Sequence, residues 1–400
     1  MPRSTKSAED NPRSSYDVVV IGGGAVGLAI AYHLRTHRTP CGVAVVERDP
    51  AYSLASTPRA SGGVRRLFAR PENIELSNYS IPFYEGFPAL MAVDGQAPDI
   101  GFKKNGYLFI VPPAGVPALK RNFATQRKHG VNVHWLDRSG LTSRFPSMRV
   151  DDLGAAVHSP DDGWLDPHGV LMALRRKARS LGADIIGDEA VAIERTGKRV
   201  RSVALKSGRI VKTGAIVNAA GAWAQQICEM VGMPVPITPL RRYEHYFEPQ
   251  EPIEPLPYLK DVNRLAFRPE GKGYSGGVPT LLEPRGFNFE VDHGYFDAIV
   301  WPALAHRFPQ FEKTRCKNTL AGLYDQNDLD GNPIVGAWTG ACENFYLAAG
   351  FSGHGLMHAP GCGRALAELI LDGHYETIDL ARFGWPRIAK GEPYAEEGII

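Results

Sequence analysis

The stretch Asp17-Val18-Val19-Val20-Ile21-Gly22-Gly23-Gly24-Ala25-Val26-Gly27 decides the fold of this 400-residue chain. It begins with a β-branched apolar run, which is typical of a strand buried on both faces of a parallel sheet. It ends in the pattern G-x-G-x-x-G, in which Gly22 permits a tight turn, Gly24 lets the backbone approach a pyrophosphate, and Gly27 lets a helix pack closely on the strand. The stretch therefore predicts a dinucleotide site between a buried strand and a helix.

The residues that follow complete this unit. A helix is predicted from Ala25 and Val26 to about His37, and its N-terminus offers unpaired N–H groups to phosphate oxygens. A second buried strand, residues 42–46, ends at Glu47, where a carboxylate can accept hydrogen bonds from ribose hydroxyl groups. Because strand, helix, strand and acid follow in register, the sequence favours nucleotide binding over a glycine-rich turn without a ligand.

Residues 16–48 resemble the FAD-binding start of the D-amino-acid oxidase, glycine oxidase and sarcosine oxidase superfamily. In that family the acid after the second strand binds the ribose of FAD, and Glu47-Arg48 resembles the family's Glu-Arg ending. The resemblance implies an FAD site in which Glu47 and Arg48 lie near the adenosine half. An NAD site shares that half, so this motif alone leaves both cofactors open.

Residues 56–66 resemble the second cofactor loop of the family, where small residues let the chain pass close to the pyrophosphate and the flavin ring. The resemblance implies that Ser56, Thr57 and Ser61 donate hydrogen bonds to phosphate or ribitol oxygens. Arg65 or Arg66 is expected to face the cofactor or an anionic substrate, with a solvated surface position as the alternative. Cofactor contacts are also implied for the two loop glycines, Gly62 and Gly63.

A third segment, Asn218-Ala219-Ala220-Gly221-Ala222-Trp223, ends a buried strand abruptly at small residues. The carboxyl end of such a strand can lie against a dinucleotide at the switch point of the sheet. The segment resembles the third cofactor motif of the family, and Val191 lies where relatives hold adenine with backbone atoms. The implied contacts come from Val191, Ala219, Ala220, Gly221 and Trp223.

The last fifth of the chain carries Gly350-Phe351-Ser352-Gly353-His354-Gly355-Leu356-Met357 between a predicted strand and a predicted helix. Backbone N–H groups at a helix start stabilise negative charge, here on a reduced flavin. The pattern G-F-S-G-H-G resembles the sarcosine and dimethylglycine branch of the family, and a packing role is the alternative for His354. Cofactor contacts are expected from Gly350, Ser352, Gly353, His354, Gly355, Leu356 and Met357.

Three positions depart from relatives. The histidine and the cysteine through which some relatives attach FAD match Arg59 and Gly322, so we expect non-covalent FAD, with Cys316 as the nearest alternative thiol. Sarcosine oxidases place a carboxylate-binding lysine where this chain has Met357. An amino-acid substrate would therefore need a second cation.

The stretch 241–247 alternates polar and aromatic residues, which is typical of an antiparallel strand with one wetter face. We expect Tyr243 and His245 to point to the substrate from this strand. An arginine of the second loop would clamp a substrate carboxylate, and tyrosine or histidine side chains would orient the amine. The candidate catalytic residues are Arg65, Arg66, Tyr243, His245, Tyr274, Tyr324 and His354.

Composition sets bounds on partners and compartment. The net charge of +2 is no nucleic-acid footprint, and the five scattered cysteines indicate neither a metal site nor a disulfide framework. No run of about 18 apolar residues occurs, so no membrane span is expected. Residues 1–15 are polar and lack an apolar core, which predicts a disordered lead-in and a cytoplasmic protein.

The resemblance implies an α/β fold in which two domains interleave along the chain. One is a Rossmann-like FAD-binding domain, and the other is an α+β substrate domain on a mostly antiparallel sheet. The expected boundaries are 16–95, 155–235 and 325–390 for the FAD-binding domain, 96–154 and 236–324 for the substrate domain, and 391–400 for a tail.

One dinucleotide fingerprint without a second implies that the substrate itself reduces the flavin. The expected reaction is oxidation of the C–N bond of an amino acid or a secondary or N-methyl amine to an imine, by hydride transfer to flavin N5. O₂, a quinone or an electron-transfer protein would then take the electrons. Sarcosine-type oxidases use a lysine near the flavin to help O₂ accept electrons, and residues 273–276, which resemble that strand, contain none, so the resemblance implies slow reaction with O₂ unless Lys272, Arg268 or His354 supplies the charge. Two alternatives stay open: an FAD-carrying assembly or scaffold protein without turnover, and a flavin hydroxylase.

Overall fold

The computed structural model describes residues 13–261, 265–280 and 282–398. The strands in these ranges are β1 (Ser15–Ile21), β2 (Val43–Glu47), β3 (Gly63–Val64), β4 (Tyr107–Val111), β5 (His134–Leu136), β6 (Ala155–Ser159), β7 (Gly163–Trp164), β8 (Asp184–Gly187), β9 (Ala190–Thr196), β10 (Arg199–Leu205), β11 (Ile210–Asn218), β12 (Ile237–Pro249), β13 (Tyr258–Asp261), β14 (Ala266–Glu270), β15 (Gly273–Gly277), β16 (Thr314–Asn327), β17 (Ile334–Trp338) and β18 (Cys342–Ala349).

The α-helices in the same ranges are α1 (Ala25–Thr36), α2 (Pro71–Glu85), α3 (Phe87–Leu90), α4 (Val116–Lys128), α5 (Arg138–Arg144), α6 (Pro167–Ser180), α7 (Ala224–Glu229), α8 (Trp301–Arg307), α9 (Gly355–Leu371) and α10 (Trp385–Lys390). None of the described helices is long and apolar enough to cross a lipid bilayer. Short 3₁₀ segments and one π-helical turn before α8 connect several of these elements.

The first sheet has the path β17-β18-β11-β1-β2-β8, with β9 and β10 attached beside β11. Strands β18, β11, β1, β2 and β8 run parallel, and β1 is buried between β2 and β11. Val18, Val19 and Val20 are at most 2% exposed, which explains why the sequence of β1 is uniformly apolar. The predicted mixed α/β fold is confirmed.

The second sheet has the order β16-β12-β15-β14-β13-β4-β6-β5 and is antiparallel except where β13 runs beside β4. Its strands come from two separate parts of the chain, β4 to β6 and β12 to β16. The first sheet takes its strands from the intervening and flanking parts. The domain boundaries themselves stay a prediction.

The carboxyl ends of the parallel strands meet at one edge of the first sheet. Gly22 N–H donates to Val46 O at 2.9 Å, and Ala219 N–H donates to Ile21 O at 2.8 Å. Asn218 pairs in register with Leu347 of β18, two residues before that strand ends. The turns after β1, β11 and β18 therefore lie together, although they are separated by hundreds of residues in sequence.

The two ends of the chain are described in part. Most of the predicted lead-in lies outside the described residues, which begin at 13, and β1 starts at Ser15. The last two residues of the predicted tail also lie outside them, but Glu396 packs against the start of α2, where its carboxylate accepts a hydrogen bond from Asn73 Nδ2 at 2.6 Å. The tail therefore forms part of the wall around the second loop.

Candidate functional site

A cavity of about 930 Å³ opens at this edge, and residues of both large sheets line it. The predicted cofactor residues that line it are Gly22, Gly24, Ala25, Val26, Glu47, Arg48, Ser56, Thr57, Ser61, Gly62, Gly63, Val191, Ala219, Ala220, Gly221, Trp223, Gly353, His354, Gly355, Leu356 and Met357. Gly27, Gly350 and Ser352 do not line it, and Ser352 lines a smaller adjoining cavity instead. The four motifs thus converge on one space of the size that ligand pockets have.

The three glycines of the first motif have different surroundings. Gly22 has a φ of +105°, and a Cβ there would lie 2.4 Å from Ala219 O. A Cβ on Gly27 would lie 2.0 Å from Gly22 O, so helix α1 needs a glycine to pack on its own turn. A Cβ on Gly24 would meet only Thr57 Oγ1, at an ordinary 3.5 Å. The protein itself therefore tolerates a side chain at Gly24, and the space in front of that glycine is the space that a pyrophosphate needs.

Glu47 ends β2 beneath this turn. Its carboxylate accepts a hydrogen bond from Gly23 N–H at 2.7 Å and one from Asp49 N–H at 2.8 Å. Burial raises the pKa of Glu47, and the two backbone donors oppose that rise. Each oxygen keeps a second lone pair, so the carboxylate can still accept hydrogen bonds from ribose hydroxyl groups.

The adenosine end of the cavity is open to solvent. Arg48 lies over the ring of Trp223, with the guanidinium carbon 4.9 Å from the ring centroid. Val191 is 49% exposed at the same end of the cavity. An apolar residue and a flat aromatic ring at a cavity mouth suit a nucleobase, which presents two flat faces.

The hydroxyl groups of the second loop are partly used by the protein. Ser56 Oγ donates to Leu323 O at 2.6 Å, so its proton is engaged and the expected donation to the cofactor is corrected. Thr57 Oγ1 accepts from Ala25 N–H at 3.2 Å, which leaves the hydroxyl proton available for a phosphate. Ser61 Oγ accepts from Tyr258 Oη at 3.0 Å and likewise retains its proton. Thr57 and Ser61 therefore remain donor candidates.

Asp325, at the end of β16, organises the turn after β18. Its carboxylate accepts hydrogen bonds from Gly350 N–H at 2.7 Å and Phe351 N–H at 3.1 Å, and burial raises its pKa to about 6. Ser352 has a left-handed backbone with a φ of +51°. A Cβ on Gly353 would lie 2.4 Å from the ring of Tyr324. The turn is therefore held from behind, and its glycines let Tyr324 approach the start of α9.

Arg65 and His354 form a buried pair in the cavity wall. Arg65 is 2% exposed, its Nη2 lies 3.1 Å from His354 Nε2, and its guanidinium carbon lies 3.8 Å from the centroid of Phe68. Burial, reinforced by the charge of Arg65, holds the pKa of His354 well below its ordinary value. The ring is therefore neutral, and the hydrogen-bond network assigns its proton to Nδ1 because Nε2 accepts from Arg65.

Arg66 has a structural position, so the choice between the two arginines falls on Arg65. Arg66 Nη1 lies 3.0 Å from Asp162 Oδ1, and the backbone N–H of Arg66 donates to Asp162 Oδ2 at 2.8 Å. The Asp162 carboxylate is fully buried, and Arg66 does not line the cavity. Arg66 compensates a buried charge and is withdrawn as a candidate catalytic residue.

The face of β12 that points to the cavity is the opposite of the expected one. His245 is fully buried, lies parallel to Tyr295 at 6.0 Å between ring centroids, and shares a hydrogen bond with Thr319. Phe247 has the same parity and packs in the core of the second sheet, which fixes this face inward. Arg242 and Glu244 line the cavity, and Tyr243 is the one residue of the expected face that also reaches it.

The two remaining tyrosines of the substrate domain differ in position. Tyr243 lies at the edge of the cavity, and its hydroxyl group donates to Glu290 O at 3.3 Å. Tyr274 packs on Phe311, with 5.0 Å between the centroids, and does not line the cavity. His245 and Tyr274 are therefore corrected to core residues. Tyr324 and His354 remain in the wall of the cavity.

Several charged residues that were not predicted also line the cavity, and three of them lie on the second sheet near Tyr324: Arg242, Glu244 and Lys260. Lys260 lies on β13, and Lys272 is exposed in the turn between β14 and β15. Burial raises the pKa of Glu244 to about 7, while Ser275 Oγ donates to its Oε1 at 2.6 Å. A lysine between buried residues in a short strand was the signal that would have identified Lys260.

The position at which some relatives attach FAD through a cysteine is occupied by Gly322 in this chain. Gly322 lines the cavity and carries no nucleophile. Cys316 does not line it, and its Sγ lies 3.5 Å from Asn318 O on the same strand. Non-covalent FAD stays a prediction that agrees with these positions.

The residues present fit FAD. The first motif offers a space in front of Gly24 that a side chain would fill, and Thr57 and Ser61 offer donors beside it. Arg65 is a buried cation in the same wall, and Glu396 and Asp162 influence its charge without a direct ion pair among the described residues. A buried positive charge without a direct ion pair favours an anionic ligand in the cavity.

The family model that describes FAD-dependent oxidoreductases, DAO, matches residues 17–369. The chain belongs to this family. FAD is accordingly its cofactor, and the open choice between FAD and NAD is decided in favour of FAD. The match spans both large sheets and all four motifs.

Relatives place this oxidoreductase in the amino-acid oxidase and dehydrogenase superfamily. It is 36% identical to FAD-dependent oxidoreductase domain-containing protein 1 of Xenopus laevis, over 98% of this chain and 86% of that protein. It is 29% identical to mitochondrial sarcosine dehydrogenase of Mus musculus, over 96% of this chain and 44% of that enzyme. Because that enzyme is named as mitochondrial, a cytoplasmic location stays a prediction.

A solved structure supports the same placement. The L-proline dehydrogenase from P. horikoshii superposes with a TM-score of 0.86 at 27% identity, over 96% of this chain and 100% of that chain. The common fold covers nearly the whole protein, including the second sheet and the edge where the cavity opens.

Substitutions of two glycines in the first motif should separate the effect on cofactor binding from the effect on folding. We expect Gly24→Val to fold with nearly unchanged thermal stability as apoprotein but to purify without FAD, because its side chain occupies the pyrophosphate space. We expect Gly27→Val to lower stability, because its Cβ collides with Gly22 O. The measurements are the FAD-to-protein ratio and the melting temperature of each apoprotein. A fully loaded, yellow Gly24→Val protein would contradict the assignment.

Glu244 predicts a pH dependence of stability. Its folded-state pKa of about 7 lies above the ordinary 4.5, so folded protein binds a proton that unfolded protein has lost in this range. The stabilisation is complete below the unfolded pKa and is lost as the pH rises through the folded pKa. The free energy of unfolding of the wild type minus that of Glu244→Gln should therefore fall by roughly 3 kcal/mol between about pH 4 and pH 8. Urea titrations at equal FAD saturation measure it, and a difference that is constant with pH contradicts it.

Proposed function

We propose that this protein oxidises the C–N bond of an amino acid or a secondary amine to an imine, which water then hydrolyses. The observation that carries the proposal is the set of side chains where the cofactor cavity adjoins a second cavity: Arg242, Lys260, Tyr324 and His354. FAD, when bound, supplies the acceptor for the two electrons of the substrate C–H bond. The protein supplies binding, orientation and electrostatics.

Arg242 and Lys260 supply the positive charge that sarcosine oxidases obtain from a lysine at the position of Met357. Arg242 lies over the ring of Tyr324 at 4.9 Å and is held by Thr280 O at 2.6 Å, so its guanidinium group has a fixed place in the wall. Lys260 lies on β13 of the same sheet, with β15 and β14 between it and β12, and lines the same two cavities. A carboxylate between them gains charge-assisted hydrogen bonds.

The same charges also favour the reactive form of the amine. Oxidation needs the neutral amine, and like charges nearby lower the pKa of a substrate ammonium group. His354 adds no further charge because it is neutral, and its ring is held in place by Arg65. Tyr324 offers a hydroxyl group in the same wall for orienting the amine. The chain thus supports an amine beside a bound carboxylate.

The test is anaerobic reduction of the FAD-loaded protein by a panel of amino acids and N-alkyl amino acids. We expect at least one of them to bleach the flavin band near 450 nm without NADPH. Arg242→Met should weaken binding of that substrate by about tenfold or more, because it removes a charged hydrogen-bond partner. Arg315→Met, an exposed position on β16, is the matched control.

The outcomes separate the candidates. Bleaching only with NADPH would favour a flavin hydroxylase, and no bleaching by any amine would favour an FAD-carrying assembly protein. Admitting air to the reduced sample then tests the acceptor. We propose a quinone or an electron-transfer protein as the acceptor, so recovery in air should be slow. Fast recovery with one peroxide per flavin, abolished in Lys260→Met, would make the protein an oxidase.

A further inference from the structure

A second cavity of about 440 Å³ adjoins the cofactor cavity. The side chains that line both spaces are Arg242, Lys260, Pro279, Tyr324 and His354. The groups proposed to hold the carboxylate and the amine therefore stand where the two spaces meet. A ligand bound between these side chains can extend into the second cavity, in the direction away from the cofactor.

The walls beyond this meeting point are mainly apolar. Phe109 and Val111 on β4 and Val157 on β6 form one side, and Ala118 and Leu119 on α4 form the other. Residue 398, the last described position, lines the far end beside Asn122, whose Nδ2 donates to Glu397 O at 2.7 Å. The second cavity is thus a sleeve between the second sheet and α4, capped by the C-terminal segment.

One buried acceptor in these walls lacks a partner among the described residues. Gln126 is 3% exposed, its Nε2 donates to Phe68 O at 3.1 Å, and its Oε1 accepts nothing. Asp261 follows Lys260 on β13, so its side chain points to the opposite face of the strand, where its Oδ2 accepts from Arg307 Nε at 2.7 Å. A buried acceptor that stays unsatisfied costs stability, so Gln126 Oε1 requires water or a ligand donor in the cavity.

The volume also exceeds what a small N-methyl amino acid needs. A space of this size falls in the range of pockets that hold drug-sized ligands, whereas one methyl group would leave it nearly empty. Apolar walls gain from a ligand arm that displaces water from them. The unsatisfied Oε1 of Gln126 adds a preference for a hydrogen-bond donor on that arm.

We propose that the substrate carries an apolar arm of several methylene groups with a hydrogen-bond donor towards its end, and that this arm occupies the second cavity. The inference rests on the proposed function for the position of the amine and carboxylate. It adds the chemical class of the substrate: a long-chain amino acid or N-alkyl amino acid bearing a terminal hydroxyl or amide group.

Non-reducible probes test this without turnover. FAD-loaded protein is titrated with straight-chain carboxylates from acetate to decanoate, and binding is read from the perturbation of the flavin absorbance. We expect the Kd to fall about fourfold for each added methylene until the cavity is full. An ω-hydroxy carboxylate of matched length should bind about fivefold more tightly than its methyl-terminated counterpart.

Two variants assign the effect to the second cavity. Ala118→Trp fills the sleeve from α4, so it should abolish the dependence on length while leaving the Kd of acetate unchanged. Ala124→Trp, exposed on the same helix and outside the cavity, is the matched control and should behave as the wild type. Gln126→Leu should remove the preference for the ω-hydroxyl group, a ratio that a purely structural role would not change.

A Kd that is constant beyond propionate in the wild type would overturn the proposal, as would an undiminished length dependence in Ala118→Trp. Kinetics with N-alkylglycines and 2-aminoalkanoates then show whether the arm is attached to nitrogen or to the α-carbon; improvement with length in either series supports the arm. If no amine reduces the flavin but carboxylates show the length dependence, the proposed function fails and the binding site stands. If sarcosine and glycine reduce the flavin as well as every longer homologue does, the arm fails and the function stands.

Discussion

The site depends on how closely backbone segments approach one another at the carboxyl edge of the first sheet. Gly22 faces Ala219 O, Gly27 faces Gly22 O, and a Cβ at either position would lie within 2.4 Å of that oxygen. Helices α1 and α9 cross in the same manner, since a Cβ on Gly363 would lie 2.7 Å from the carbonyl carbon of Ala29. These contacts bring the N-termini of both helices to one cavity, where their unpaired N–H groups favour an anionic cofactor.

This edge also explains where charge is placed. Arg65 is buried behind the cavity wall, held by Leu67 O and His354 and covered by Phe68. Burial, reinforced by the charge of Arg65, holds the pKa of His354 low and keeps the ring neutral, so the ring does not compete for the carboxylate. Arg242 and Lys260 approach from the second sheet. One sheet therefore contributes the cofactor cradle, and the other contributes cations for a substrate.

The parts of the site that follow from local patterns were predictable. G-x-G-x-x-G, Glu47 and the turn around His354 each lie at the end of a buried strand, so their place in the sheet follows from the strand itself. The positions of the other site residues depend on packing between segments that are distant in the sequence. Asp162 comes from a distant loop and holds Arg66 away from the cavity, and no pattern around Arg66 announces that partner.

The sequence of β12 contains a pattern that predicts which face of the strand packs in the core. Tyr243, His245 and Phe247 share one parity, and the apolar ring of Phe247 indicates that this face packs in the core. The polar alternates Arg242 and Glu244 then line the cavity, and Tyr243 reaches its edge from the other parity. Lys260 was harder to predict, because β13 is only four residues long and pairs with β4 from a different part of the chain.

The central claim is that the substrate loses two electrons from a C–N unit and leaves as a carbonyl compound. The most direct measurement is a single anaerobic turnover of FAD-loaded protein with its best amino-acid or N-alkyl substrate, in which carbonyl product and reduced flavin are both counted. The account predicts one carbonyl molecule per flavin reduced, formed without NADPH or O₂. Flavin reduction without a carbonyl product would contradict it.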